Sequence, residues 1–213
     1  MAQLIKIYYE NMQLRWMYFE NDGKIEGEKR TYYDNDHIYV ICNYVDGNLE
    51  GENTEYYYCG QLRMICNYIN GKKEGEYKTY HMDGQLSMIC NYINGEIEGE
   101  YKEYFNEQLS AICNYTNGKI EGEYKSYYDN GQVYITCNYI NGKREGEYKS
   151  YYENGQLCSI CTYIDGKREG EYKEYFSDGQ LKKCIYIYGE TDDGNEDYEE
   201  TDDEDYEETE VGK

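Results

Sequence analysis

The tetrapeptide Ile-Cys-Asn-Tyr begins at Ile41, Ile65, Ile89 and Ile112. It returns as Ile-Thr-Cys-Asn-Tyr from Ile135 and as Ile-Cys-Thr-Tyr from Ile160. The matching cysteines, Cys42, Cys66, Cys90, Cys113, Cys137 and Cys161, stand 24 or 23 residues apart. A period of that length specifies one supersecondary unit stacked on copies of itself, so that only neighbours touch. Around the tetrapeptide the unit reads Gln-Leu-x-x-Ile-Cys-Asn-Tyr-Ile-Asn-Gly-Lys-x-Glu-Gly-Glu-Tyr-Lys-x-Tyr-Tyr-x-Asn-Gly.

Two Asn-Gly or Asp-Gly pairs punctuate each unit, such as Asn141-Gly142 with Asn154-Gly155, and Asp165-Gly166 with Asp178-Gly179. Such pairs suit two-residue hairpin turns of type I′, which need positive φ at both central positions. Between the turns, β-branched and aromatic residues are interleaved with polar ones, without a 3.6-residue apolar period. The expectation is an all-β protein. Its fold is an elongated, curled, single-layer antiparallel meander of tandem β-hairpins, about 16 strands and roughly 70 Å long at the usual interstrand spacing.

A third glycine recurs as Gly27, Gly51, Gly75, Gly99, Gly122, Gly146 and Gly170, early in the second strand of each unit. Glycine inside a strand marks a bulge, a bend or a close approach; its recurrence here predicts a fixed increment of curvature. Five residues later stands Tyr32, Tyr56, Tyr80, Tyr104, Tyr127, Tyr151 or Tyr175, followed by Tyr33, Tyr57, His81, Phe105, Tyr128, Tyr152 or Phe176. Adjacent strand residues face opposite ways. Two aromatic ladders are expected, one lining the concave and one the convex side of the sheet, and the first is the candidate protein-binding surface. The apolar end segments Leu4–Tyr9 and Lys182–Tyr188, with Ile5, Ile7, Tyr9, Ile185 and Ile187, are candidate open edge strands for pairing with another chain.

The repeat frays where Asn106-Glu107-Gln108 lacks a turn residue and its glycine, and at Met12 and Asp36, which replace glycine. These irregular end units suit caps. Residues 1–189 are taken as the repeat sheet and 190–213 as a disordered acidic tail, poor in aliphatic residues. The tail holds 14 Asp/Glu against Lys213, and the rest holds 30 acidic against 20 basic residues. Both segments repel nucleic-acid phosphates and anionic lipid headgroups, so neither partner is expected. No apolar run reaches membrane-spanning length, and the amino-terminal residues lack the pattern of a signal peptide. The expectation is a soluble cytoplasmic protein.

The stretch from Tyr139 to Tyr148, followed by Tyr151-Tyr152-Glu153-Asn154-Gly155-Gln156-Leu157, resembles the MORN repeat. It is most similar to the variant form found in bacterial antitoxin-annotated and some viral and protist proteins. The resemblance runs over about residues 5–188. It implies an elongated hairpin sheet, often dimeric, used in scaffolds, at membranes or as an attachment to enzymes. Tyrosine stands here where many members carry tryptophan, Trp16 being the only one in the chain.

Nothing in the chain spells out catalysis, a metal site or a cofactor. Equivalent strands lie two apart, about 9–10 Å, beyond the roughly 7 Å reach of a disulfide. The cysteine row is therefore expected to be free and to serve as small buried filler. Cys184 falls near that row, while Cys59 and Cys158 lie elsewhere. Cys158-Ser159-Ile160-Cys161 has no second pair to complete a zinc site. His37 takes a turn position and His81 an aromatic one, and no phosphate-binding glycine motif opens a helix. The leading expectation is a non-enzymatic scaffold that binds a protein partner, with homodimerisation through one edge strand as its simplest form. The alternatives are a neutraliser of a basic toxin or nucleic-acid-binding protein, and a membrane-associated protein, which the charge disfavours.

Overall fold

The computed structural model describes residues 2–191, and they form a single open antiparallel sheet with no helix. No helix of the described residues is therefore long and apolar enough to cross a membrane. The acidic tail expected to be disordered lies, from residue 192 onward, outside the described residues. The last strand, Leu181–Thr191, runs two residues past the expected end of the sheet.

Twenty strand segments are present. Four of them, Asn48–Leu49, Lys72–Lys73, Glu96–Ile97 and Lys119–Ile120, are two-residue stubs separated from the following strand by one residue, Glu50, Glu74, Glu98 or Glu121. Joining each stub to its continuation leaves 16 hairpin legs, the number the turns predict. The amino-terminal strand Gln3–Tyr8 pairs only with Leu14–Asn21, and Leu181–Thr191 pairs only with Lys167–Tyr175, so both ends of the sheet are open.

The two Asn-Gly turns of a unit are not alike, contrary to the sequence expectation. Asn141 (φ 54°) and Gly142 (φ 80°) are both left-handed, as a type I′ turn demands. At Asn154-Gly155 only the glycine is left-handed, at φ 79°. Gly155 N donates to Tyr152 O and Tyr152 N donates to Gln156 O, each at 2.8 Å, the pattern of a three-residue loop closed by a glycine bulge. One extra residue in the loop explains the difference, and the Asn154 side chain supports it by accepting from Gln156 N at 3.0 Å. The hairpin at Asn106-Glu107 has lost that extra residue. It closes as a two-residue turn with both residues left-handed and Phe105 paired to Gln108.

The middle glycine is a bulge. Thr136 pairs with Lys149 and Asn138 with Glu145, so Gly146 falls out of register with the preceding strand. It is in register with the following one, opposite Tyr163. All seven of these glycines have φ between 75° and 88°. A Cβ on Gly146 would meet nothing within 4 Å, so backbone conformation rather than space demands glycine there.

Directly opposed antiparallel residues share a face, which separates the two sides of the sheet. One side carries the cysteine row, 3–5% exposed, opposite residues such as Tyr101, Tyr124 and Tyr148. Tyr44, Tyr68, Tyr92, Tyr115, Tyr139 and Tyr163 lie on the same side, each opposite a middle glycine. A ring laid over a glycine covers backbone that lacks a side chain. Tyrosine pairs such as Tyr77–Tyr92 and Tyr148–Tyr163, with ring centroids 5.4 and 5.7 Å apart, roof the thiols. The filler role expected for the cysteines is what the burial shows, and all nine cysteines are free.

Candidate protein-binding face

The opposite side carries Glu-x-Lys-x-Tyr in most units. Lys78, Lys125 and Lys149 lie opposite Ile89, Thr136 and Ile160, and the flanking glutamates and tyrosines share that face by alternation. Each lysine leans on the glutamate two residues before it: Lys78–Glu76 at 2.5 Å, Lys102–Glu100 at 2.6 Å, Lys125–Glu123 at 2.9 Å and Lys173–Glu171 at 2.7 Å. The hydrogen bond that its ammonium donates to Glu76 raises Lys78 above its ordinary pKa, and the bond to Glu100 does the same for Lys102. These pairs sit in water and contribute little to stability. Their effect is to hold alternating charges in rows along the sheet.

Tyr32, Tyr56, Tyr80, Tyr104, Tyr127, Tyr151 and Tyr175 are all half-buried at or next to the ends of their strands. Each lies across from an aliphatic residue: Ile38, Leu62, Leu86, Leu109, Val133, Leu157 or Leu181. The Tyr80 and Tyr104 hydroxyls make no hydrogen bond among the described residues.

The companion aromatics behave differently. The hydroxyls of Tyr33, Tyr57, Tyr128 and Tyr152 donate to the carbonyls of Tyr56, Tyr80, Tyr151 and Tyr175 in the next unit, at 2.7–2.8 Å. His81 Nε2 makes the equivalent contact with Tyr104 O at 3.1 Å. The second ladder is thus a row of inter-unit staples, its polar groups occupied.

The edge candidates are divided in the same way. Ile7 and Ile185 are each 39% exposed and Ile5 is half-buried. Tyr9 lies beyond the end of its strand, and its hydroxyl donates to Tyr32 O at 2.8 Å, which makes it the first staple. Ile187 is only 6% exposed, because it takes the place of the glycine-covering tyrosine opposite Gly170. Cys184 is on the other side from the cysteine row, opposite Lys173, and its thiol donates to Glu171 Oε1 at 3.3 Å. Among the described residues no group of His, Cys, Asp or Glu is placed to hold a metal ion.

A further set of residues escaped the sequence reading. Glu26, Glu50, Glu74, Glu98, Glu121, Glu145 and Glu169 each precede a middle glycine. Their carboxylates accept the backbone N–H of Asp46, Asn70, Asn94, Asn117, Asn141, Asp165 and Gly189, at 2.7–2.9 Å. The signal was the invariant Glu-Gly pair in every unit.

Two depressions lie on the Glu-Lys-Tyr face. One, of about 460 Å³, is lined by Glu52, Ile65, Glu74, Glu76, Lys78 and Tyr80 among others. Its neighbour, of about 410 Å³, is lined by Glu76, Ile89, Glu98, Glu100, Lys102 and Tyr104. They share Glu76 and so succeed one another across the strands.

The MORN repeat variant profile matches six stretches, residues 25–46, 49–70, 73–94, 120–141, 144–165 and 168–187. The gap between the third and fourth contains the hairpin with the shortened turn. No curated protein matches the chain. Among solved structures, a chain in the crystal structure of TcdB2-TccC3-Cdc42 is 12% identical with a TM-score of 0.21. The match covers 86% of this protein but only 13% of that chain. A protein of unknown function from Bacteroides fragilis is 11% identical with a TM-score of 0.13, over 87% of this protein and 93% of its own length.

Proposed function

The chain belongs to the MORN repeat variant family, and from that premise we propose that it is a non-enzymatic scaffold that binds a protein partner on its Glu-Lys-Tyr face. The observation that carries this reading is the difference between the two sides. On the cysteine side, tyrosine pairs roof the thiols and the rim hydroxyls are spent on inter-unit bonds. On the other, Tyr80 and Tyr104 present rings and unspent hydroxyls beside open depressions. Aromatic residues with one apolar and one polar end are enriched where proteins meet.

The test is a photo-crosslinking amino acid placed at position 80 or 151 and, as control, at position 92. Adducts with a partner from the native source are expected from 80 and 151. Adducts from 92 alone would place the binding surface on the wrong side.

The excess of carboxylates around the depressions favours a second form of the same reading, in which the partner is a basic protein that the chain neutralises. That form requires the complex to weaken steeply with salt and on deletion of residues 190–213. Self-association through an open edge rests on the exposed Ile7 and Ile185. Light scattering that finds only monomer at high concentration would sink it.

A further inference from the structure

Equivalent residues of adjacent units lie two strands apart, about 9.5 Å. A partner that uses the tyrosine row must therefore present one matching group about every 9.5 Å, running across the strands. The two depressions run that way, from Gly51–Tyr56 through Gly75–Tyr80 to Gly99–Phe105.

Regular backbones meet this spacing unequally. An α-helix rises about 1.5 Å per residue, so 9.5 Å is between six and seven residues and not a whole number of turns. A β-strand alternates sides every residue, so groups three apart fall on opposite faces. A polyproline II helix has three residues per turn and rises about 3.1 Å per residue, which returns the same face every 9.3 Å or so. Of the three, only it keeps step with the ladder on one face.

The chemistry of the depressions selects the side chain. Together they are lined by five carboxylates, Glu52, Glu74, Glu76, Glu98 and Glu100, against two ammonium groups, Lys78 and Lys102. Glu52 is the least compensated, because Thr54 replaces the lysine or arginine found two residues on in every other unit. Tyr80 and Tyr104 offer flat rings for proline and free hydroxyls for the solvated carbonyls of such a helix. Aromatic-lined grooves recognise polyproline II for these reasons.

From this geometry we infer that the face over residues 52–104 takes a proline-rich basic segment in the polyproline II conformation, with Lys or Arg at every third residue. The inference rests on the proposed binding role of the Glu-Lys-Tyr face and names the class of partner.

The test uses the full chain at near-physiological salt and synthetic peptides read by fluorescence anisotropy. The probe is (Lys-Pro-Pro)5, compared with an isomer of the same composition with irregular lysine spacing, and with (Lys-Gly-Ser)5. The regular peptide is expected to bind at least ten-fold tighter than either. Tyr80→Ser with Tyr104→Ser should lose ten-fold or more, with the β-sheet circular dichroism checked. Tyr104→Phe, which keeps the ring and the fold, should lose two- to five-fold. Equal binding of the two lysine-proline isomers, or none by any peptide, overturns the inference. If crosslinks from position 80 persist in that case, the binding face stands and only the partner class falls; if those crosslinks are also absent, both fall.

Discussion

The hydroxyl of Tyr152 donates a 2.7 Å hydrogen bond to the backbone carbonyl of Tyr175, 23 residues further along the chain. The second aromatic of one unit thus grips the first aromatic of the next, and neighbouring hairpins are joined by a side chain as well as by the strand ladder. The same bond recurs from Tyr33, Tyr57 and Tyr128.

Replacing Tyr152 by Phe keeps the ring and removes the donor. A single hydrogen bond of this kind is worth about 1 kcal/mol, so Tyr152→Phe should lower the urea midpoint accordingly at an unchanged slope. A midpoint equal to that of the unaltered protein would mean the bond contributes nothing.

Gly146→Ala should destabilise by about 1–2 kcal/mol, although the added methyl group meets no neighbour, because an L-residue is strained at φ 80°. The discriminating measurement is a semisynthetic D-alanine at the same position. It should recover the loss, and an equal loss with either enantiomer would show that crowding is responsible.

Met12 and Asp36 hold left-handed conformations, φ 70° and 66°, where later units place glycine. Met12→Gly and Asp36→Gly should each stabilise the sheet by about 1 kcal/mol through relief of that strain. Thermal melts of the two variants check this; a lowered melting temperature would show that the end units depend on these side chains.

Burial pushes the Cys90 and Cys113 thiols from an ordinary value of 9.0 up to about 11. Above pH 9 the unfolded chain loses these protons while the folded chain keeps them. The folded state therefore loses stability as pH rises from about 9 to 11. Burial raises Tyr68 to about 12 in the same sense. Urea midpoints should be flat around pH 7–8 and fall steadily through this window. At pH 8, iodoacetamide should label the exposed Cys59 well before Cys90 or Cys113.

The positions of the turns, the number of hairpin legs and the free, buried cysteines were legible because each follows from local chemistry that the repeat copies. Asn154 was misread, since Asn-Gly suits both turn types and only loop length separates them. The division of labour within Tyr151-Tyr152 was half legible. Alternation places the two on different sides, but the partner of Tyr152 is a carbonyl in the next unit, and no residue type announces that. Glu145 was missed because a carboxylate on a polar surface looks solvated until the backbone N–H of Asp165 is found 2.7 Å away. The burial of Ile187 on the open last strand was not legible, because its exposure depends on the glycine it faces.

The shortened hairpin at Asn106-Glu107 makes the two rims of the sheet mechanically unequal. Along the rim of type I′ turns, seven glutamates tie unit to unit without interruption. Along the other rim the stitching runs from Tyr9 to Tyr104, resumes at Tyr128, and has no side-chain bond from Phe105 to Tyr127 among the described residues. The intact rim is the spine of a book and the interrupted one its fore-edge, so the sheet opens most readily between its first five hairpins and the last three.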